Sequence, residues 1–252
     1  MLDNGLNQGV GLQRIAPRTP LRLVALASHG DKASELPLLW NLCSTWIGLG
    51  YPVAVLDVTA NETESNPGLR QILNGSYWDD SAHSGTSWAV LPARLGLEQL
   101  CAAQATFPLA QLPTLFPEYE IVLIYAPTDL IVTLFQDTPV SPLIALSPQP
   151  QALLTAYQST KQLLLEARLR PTIVSVLEAD DPQAPDDVSQ SLRNCALNFL
   201  GEQVNTLTAR TGAPGSAEEM KRLVLRLLEN AAVLHPPLPP QTPARQGHAR
   251  KH

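Results

Sequence analysis

The chain has 252 residues, which is enough to bury the core of one α/β domain. Its formal net charge of −6 speaks against the basic surface that nucleic acids require, so we expect no nucleic-acid partner. The three cysteines, Cys43, Cys101 and Cys195, are too far apart for a disulfide framework or a metal pattern. There is no recognisable signal peptide, and no apolar run reaches the ~20 residues of a membrane-spanning helix, so we expect a cytoplasmic protein.

Residues 1–20 are polar and contain glycine and proline, which predicts a flexible segment before the first strand. Two apolar runs follow, Leu21–Ala27 and Val53–Val58, separated by a segment of helical length. This pattern predicts a βαβ unit, because a crossover helix joins strands that point the same way. The turn at residues 28–36 is where a nucleotide-binding protein would hold phosphates on backbone N–H groups.

The middle of the chain predicts a loop and then further strands. Residues 61–87 are rich in Asn, Gly, Ser and Asp, with one short helical piece at Leu69–Leu73. A helix is expected between the last two of the strands that follow. Apolar runs predict those strands at Trp88–Ala93, Glu120–Pro127, Pro142–Leu146 and Thr172–Leu177.

The C-terminal part predicts two helices and a tail. An acidic, proline-containing loop at 180–187 precedes a helix at 188–200. A second helix is predicted over 216–234, because its apolar residues recur at three- and four-residue spacing. That apolar stripe consists of Met220, Leu223, Val224, Leu227 and Leu228. Residues 235–252 are proline-rich and basic, which predicts a disordered tail.

Several stretches of the chain resemble the MinD/ParA family of deviant P-loop ATPases. Asn41-Leu42 match the family's NLA, and Leu49-Gly50-Tyr51 with the strand into Asp57 match its LGxxVxxxD. The strand EYEIVLIYAP is similar to DYVLIDxPAG, and SPQPQALLTAY at 147–157 is similar to TPEPTALTDAY. The resemblance implies that residues 21–234 form one α/β domain. Its fold would be that of SIMIBI-type P-loop NTPases, a doubly wound and mostly parallel sheet with helices on both faces.

The turn lacks the residues that hold phosphate in this family, whose loop reads KGGxGKT after the strand. In the matching register, Glu35 replaces the phosphate-binding Lys and Leu36 replaces the Mg²⁺-binding Thr. Two unit charges about 4 Å apart interact by roughly 4 kcal/mol at an effective dielectric near 20, so a carboxylate here is expected to repel ATP. The degenerate loop positions are His29, Gly30, Asp31, Lys32, Ser34, Glu35 and Leu36.

Two positions of the family's magnesium shell are also changed. Asp57 is kept, but Thr59 stands where the family's D-x-D has its second acid, and Tyr125 replaces the Walker B Asp. A phenol cannot supply the carboxylate oxygens that Mg²⁺ prefers. These losses predict a catalytically inactive pseudo-ATPase that needs no cofactor and no metal. The alternative is an active ATPase that binds ATP and Mg²⁺ through an unusual loop, using Lys32 and Asp57.

Residues 7–15, NQGVGLQRI, resemble the DQAxxLR segment of FlhG/FleN-type proteins, the MinD relatives that control flagellar number. In that family the segment binds the GTPase FlhF. The resemblance implies a regulatory or scaffold protein that controls flagellar number or placement through an FlhF-like GTPase. The alternative is a MinD-like accessory protein of another envelope machine, such as cellulose export or a pilus. The candidate partner-binding residues are Asn7, Gln8, Leu12, Gln13 and Arg14.

The same family offers a second interpretation of the C-terminal apolar stripe. In MinD and FlhG relatives a C-terminal amphipathic helix targets the membrane, and Lys221, Arg222 and Arg226 flank the stripe here. The helix predicted at 216–234 therefore either lies in a lipid interface or packs on the sheet. We expect the protein to be cytoplasmic, either free or in peripheral contact with the inner membrane.

Overall fold

A computed structural model describes residues 20–75, 87–103, 107–178, 185–211 and 215–235. The predicted partner motif at residues 7–15 and the predicted tail beyond residue 235 lie outside these residues, as does most of the predicted acidic loop.

Strands and helices alternate along the described chain, as a doubly wound fold requires. The strands are β1 (Leu21–Ser28), β2 (Val53–Asp57), β3 (Trp88–Pro92), β4 (Ile121–Pro127), β5 (Leu143–Leu146), β6 (Thr172–Glu178), β7 (Asn205–Thr211) and β8 (Ala232–Leu234). The helices are α1 (Lys32–Gly48), α2 (Leu69–Leu73), α3 (Arg94–Ala102), α4 (Leu112–Leu115), α5 (Thr128–Phe135), α6 (Pro150–Ala167), α7 (Pro185–Cys195) and α8 (Ser216–Asn230). A 3₁₀ turn at Pro108–Gln111 leads into α4, and a π-helical turn at Ala196–Leu200 continues α7.

One sheet of eight strands forms the centre of the described domain. Seven strands run parallel in the order β3-β2-β4-β1-β5-β6-β7. The short β8 pairs antiparallel with β1, where Leu234 lies opposite Leu21. The predicted fold class, a mostly parallel doubly wound sheet, is confirmed.

The core lies on both faces of the sheet, because parallel strands are covered by helices on either side. On one face, α1 and α8 bury Leu38, Leu42, Trp46 and Val224 against the strands. On the other face, α3, α5, α6 and α7 pack on a second apolar cluster. This two-sided burial explains why β1 and β4 read as continuous apolar runs.

The C-terminal helix is shorter than predicted, and its apolar stripe is covered. α8 ends at Asn230, because Ala231 has extended backbone angles, and residues 232–234 return as β8 instead of continuing the helix to residue 234. The stripe packs on the sheet beside α1, as the second of the two interpretations requires. Four of its members, Met220, Leu223, Val224 and Leu228, are buried, and Leu227 is half-buried.

None of the helices in the described residues combines the length and the apolar character needed to cross a membrane.

Candidate functional site

The loop between β1 and α1 lies at the carboxyl edge of the sheet, where ligands of open α/β sheets bind. β1 ends at Ser28 and α1 begins at Lys32, so only three residues make the turn. Gly30 has φ +101°, a conformation that side chains with a Cβ rarely adopt, and it lets the strand turn into the helix. We call residues 28–35 the Glu35 loop.

The carboxylate of Glu35 is folded back into this loop and is fully buried. Its Oε1 accepts hydrogen bonds from three consecutive backbone N–H groups, those of His29 at 2.8 Å, Gly30 at 2.9 Å and Asp31 at 3.0 Å. Successive N–H groups that converge in this way form an anion-binding concavity, the kind that cradles phosphate in P-loops. The anion held here is the protein's own side chain.

The second oxygen of Glu35 is held by hydroxyl groups from β1 and β4. Oε2 accepts hydrogen bonds from Ser28 Oγ at 2.9 Å and from the Tyr125 hydroxyl at 2.5 Å. Lys32 Nζ lies 3.5 Å from Oε2, donates to Ser28 Oγ at 3.2 Å and also contacts the Tyr125 hydroxyl. The Lys32 ammonium lies over the Tyr125 ring as well, 4.6 Å from its centroid. Because 48% of the Lys32 side chain is exposed, it forms the solvent side of the site.

The protonation states follow from these contacts. Burial alone would raise the pKa of Glu35, but the hydrogen bonds from Tyr125, from the His29 N–H and from Ser28 outweigh it, so the pKa lies below its ordinary value. Burial, followed by the hydrogen bond to Glu35, raises the pKa of Tyr125. At neutral pH the site therefore contains the Glu35 carboxylate and a neutral Tyr125 phenol.

Two neighbouring side chains tie the Glu35 loop to β5 and α6. His29 Nε2 lies 2.8 Å from the carbonyl oxygen of Ala145, and its Nδ1 lies 2.9 Å from Thr155 Oγ1. Asp31 Oδ2 accepts hydrogen bonds from Ser34 Oγ at 2.6 Å and from the N–H of Ser147 at 3.0 Å. These bonds tie the loop to β5, to the residue after β5 and to α6.

Asp57 and Thr59 form a separate, local arrangement at the end of β2. Asp57 Oδ1 accepts hydrogen bonds from the N–H of Thr59 at 2.8 Å and from its Oγ1 at 2.7 Å. This is a side-chain turn of the kind that Asp makes at strand ends. Asp57 therefore stabilises its own turn.

The groups of this loop that could hold a phosphate are already engaged in this structure. The N–H groups that would cradle a phosphate already bind Glu35, so a nucleotide would have to displace a buried carboxylate. Leu36, at the position of the magnesium-binding Thr, has no oxygen to offer and is half-exposed. Tyr125 uses its hydroxyl on Glu35. Within the described residues, no cluster of three His, Cys, Asp or Glu side chains could hold a metal ion.

The structure brings together most of the loop positions singled out in the sequence, but in roles that the sequence did not indicate. Glu35 was expected only to repel a nucleotide, whereas it is the ligand of its own loop. Ser28 was not a candidate at all, and Tyr125 was considered only as a missing carboxylate. Lys32, which the sequence offered as a replacement for the phosphate-binding Lys, contacts Ser28 and Tyr125. The one sequence signal that could have indicated this inward-facing carboxylate was an acidic residue in the first helical turn, directly after a glycine-containing loop.

An exposed apolar surface begins next to the Glu35 loop. Leu36 and Trp40, one turn apart on α1, are 50% and 60% exposed. The Trp40 ring contacts the Trp88 ring of the edge strand β3 at a centroid distance of 4.7 Å, and Val90 on the same strand is 56% exposed. We call these four residues the Trp40 face. Exposed apolar side chains that cluster on a surface are typical of protein contact sites.

Comparisons with known proteins give the fold. No protein-family model matches the chain, and no curated protein sequence matches it. Cobyrinic acid a,c-diamide synthase from Mycobacterium smegmatis, solved with bound ADP and magnesium, is similar in structure with a TM-score of 0.54 and 14% identity, over 87% of this chain and 100% of that chain. The pNOB8 ParA structure has a TM-score of 0.51 and 14% identity, over 83% and 99% of the two chains. pNOB8 ParA bound to nonspecific DNA has a TM-score of 0.52 and 15% identity, over the same 83% and 99%. This chain has the fold that these P-loop proteins share.

Proposed function

We propose that the protein is a pseudo-ATPase, a regulatory or scaffold protein that keeps a ParA/MinD-like fold and acts through protein contacts without nucleotide. One observation carries this proposal: the Glu35 carboxylate takes up the three backbone N–H groups on which the fold holds phosphate. We accordingly propose that it needs neither ATP nor Mg²⁺ as a cofactor.

The energetics support exclusion of nucleotide. A phosphate could reach the N–H groups only if Glu35 left its five hydrogen-bond donors and the Lys32 ammonium group, all of which would then need a new partner. If the carboxylate stayed, a phosphate oxygen about 4 Å away would be repelled by roughly 4 kcal/mol at an effective dielectric near 20. Either route makes nucleotide binding unfavourable.

Two parts of the chain support a protein partner. The Trp40 face exposes apolar surface beside the Glu35 loop. The segment at residues 7–15 resembles the motif that contacts FlhF, which supports an FlhF-like GTPase as the partner and a role in flagellar number or placement. An accessory role in cellulose export or at a pilus is the alternative, and the partner that co-purifies with the protein separates the two. The acidic net charge supports the absence of a nucleic-acid partner.

A specific observation favours one other function, an ATP-binding protein with an unusual loop. Lys32 Nζ lies 3.5 Å from Glu35 Oε2, where it could neutralise a phosphate if Glu35 moved out. In that case Lys32 would take the role of the family's phosphate-binding Lys.

The test of both functions is a titration of the full-length protein with a fluorescent ATP analogue and Mg²⁺. The proposal expects no binding up to millimolar nucleotide. Micromolar binding would overturn the proposal and support the ATP-binding alternative, in which Lys32→Met should then abolish it. Glu35→Lys, which restores the family's residue, serves as the comparison variant.

The partner assignment is tested by deleting residues 1–15. The deletion should abolish binding to an FlhF-like GTPase and leave the melting temperature unchanged, since β1 begins only at Leu21. Binding that survives the deletion would remove the N-terminal segment from the proposal. Trp40→Ser, compared with Leu165→Ser at an equally exposed apolar residue on α6, tests the Trp40 face in the same assay.

A further inference from the structure

We infer that the Glu35 loop is a working oxyanion-binding site whose ligand is the chain's own Glu35 carboxylate, and that a small external oxyanion binds there once this carboxylate is removed. The inference rests on the proposed function and goes further: nucleotide is excluded because the site is filled, not because its donors are lost.

The donors around Glu35 are those that a phosphate or carboxylate oxygen needs. Three N–H groups in sequence reach one oxygen over 2.8 to 3.0 Å, and two hydroxyl groups reach the other. The remaining partners of the loop, on His29 and Asp31, hold these groups in place independently of Glu35. The donor geometry therefore does not depend on the carboxylate alone.

The charge around the site also favours an anion. Lys32 provides an ammonium group 3.5 Å from the carboxylate, and it is open to solvent on its other side. The loop also lies at the N-terminus of the 17-residue α1, where the helix dipole favours negative charge. An anion arriving from solvent would meet Lys32 first.

Truncation of Glu35 gives the site a defined size. Glu35→Ala removes a CH₂–COO⁻ group, which matches acetate, so acetate is the isosteric probe. Inorganic phosphate is the probe for the fold's usual ligand chemistry. Both should bind through the same donors, and phosphate should bind more tightly because it carries more charge opposite Lys32.

A second buried carboxylate serves as the matched control. Glu62 is 8% exposed, and its oxygens accept hydrogen bonds from the N–H groups of Arg70 at 3.0 Å and Gly96 at 2.9 Å. These donors come from two different helices and act on different oxygens. Removing Glu62 therefore leaves a cavity without the three consecutive N–H groups.

The experiment compares wild type, Glu35→Ala and Glu62→Ala by thermal unfolding in chloride buffer, with phosphate or acetate titrated in at constant ionic strength. We expect the melting temperature of Glu35→Ala to rise by about 5 °C at twenty times the Kd, since ligand binding stabilises the native state. Wild type and Glu62→Ala should move by less than about 1 °C. Lys32→Met in the Glu35→Ala background should weaken phosphate binding about tenfold or more.

Equal shifts in all three proteins, or none in Glu35→Ala, would overturn the inference. If Glu35→Ala does not fold in chloride, its refolding yield replaces the melting temperature: a gain with phosphate or acetate is expected, and no gain overturns the inference. Failure of the proposed function is a different result, namely nucleotide binding by the wild-type protein.

Discussion

Glu35 and Glu62 are both buried carboxylates that accept backbone N–H groups, yet they do different things. Glu62 joins two helices, because one oxygen binds α2 through Arg70 and the other binds α3 through Gly96. Glu35 gives one oxygen to three consecutive N–H groups of a single loop, and the other to Ser28 and Tyr125, with Lys32 close by. The first arrangement is a helix-capping clamp, whereas the second has the donors and the charge of an anion site.

The largest expected difference is in stability. Glu35→Gln should lower the free energy of unfolding by about 3 kcal/mol, because an amide group is placed among donors and Lys32 loses its counter-ion. Glu62→Gln should cost about 1 kcal/mol, because the amide oxygen keeps one of the two N–H bonds. Urea unfolding of the two variants measures this, and equal losses would contradict the distinction between clamp and anion site.

Tyr125→Phe should have the next largest effect. It removes the 2.5 Å hydrogen bond to the buried carboxylate, and hydrogen bonds to charged groups contribute about 2 kcal/mol. In a double-mutant cycle with Glu35→Gln, the two losses should not add, because each removes the same contact. Additive losses would show that Tyr125 stabilises the fold through its ring alone.

Acid should reduce the difference between wild type and Glu35→Gln. The pKa of Glu35 is lowered in the native state. The contribution of Glu35 to stability is therefore complete above its unfolded pKa of about 4.3 and is lost as pH falls through the lower native pKa. The difference in unfolding free energy between wild type and Glu35→Gln should therefore be smaller in acid than at pH 7. The decrease should be about 1.4 kcal/mol for each pH unit by which the native pKa of Glu35 is lowered. A gap that widens on acidification would contradict the hydrogen-bonded carboxylate.

Lys32→Met should have the smallest effect, about 0.5 kcal/mol, because the ammonium is half-exposed and solvent screens its attraction to Glu35. Chemical unfolding at low and high salt measures this contribution, which should fall as salt is added. A loss above about 2 kcal/mol would place Lys32 among the residues that hold the loop together.

The parallel sheet was predictable from sequence, because strands buried on both faces are continuous apolar runs such as β1 and β4. β7 was missed, since its sequence NTLTART is polar and it lies at the edge of the sheet. β8 was missed because its apolar residues follow the helical stripe without a break, and only pairing with β1 decides their conformation. These errors come from tertiary contacts, which a local pattern does not contain.

The position of the candidate site was predictable from the sequence, but the contacts within it were not. The loop follows from the apolar strand, the turn and the helix, and its altered residues can be read directly. The contact between Glu35 and Tyr125 joins residues 90 positions apart and depends on the order of the strands. Sequence shows that a charge is reversed there, whereas only coordinates show that the reversed charge turns inward and binds.

The pairing of β8 with β1 brings the first and last strands of the described domain together. Leu21 and Leu234 lie opposite each other, so the start of β1 and the end of β8 lie side by side at the amino edge of the sheet. β1 has eight residues and spans about 26 Å, so this junction is a full strand length from the Glu35 loop. A circular permutant that links residue 234 to residue 21 should therefore keep the domain intact and leave the Glu35 loop undisturbed.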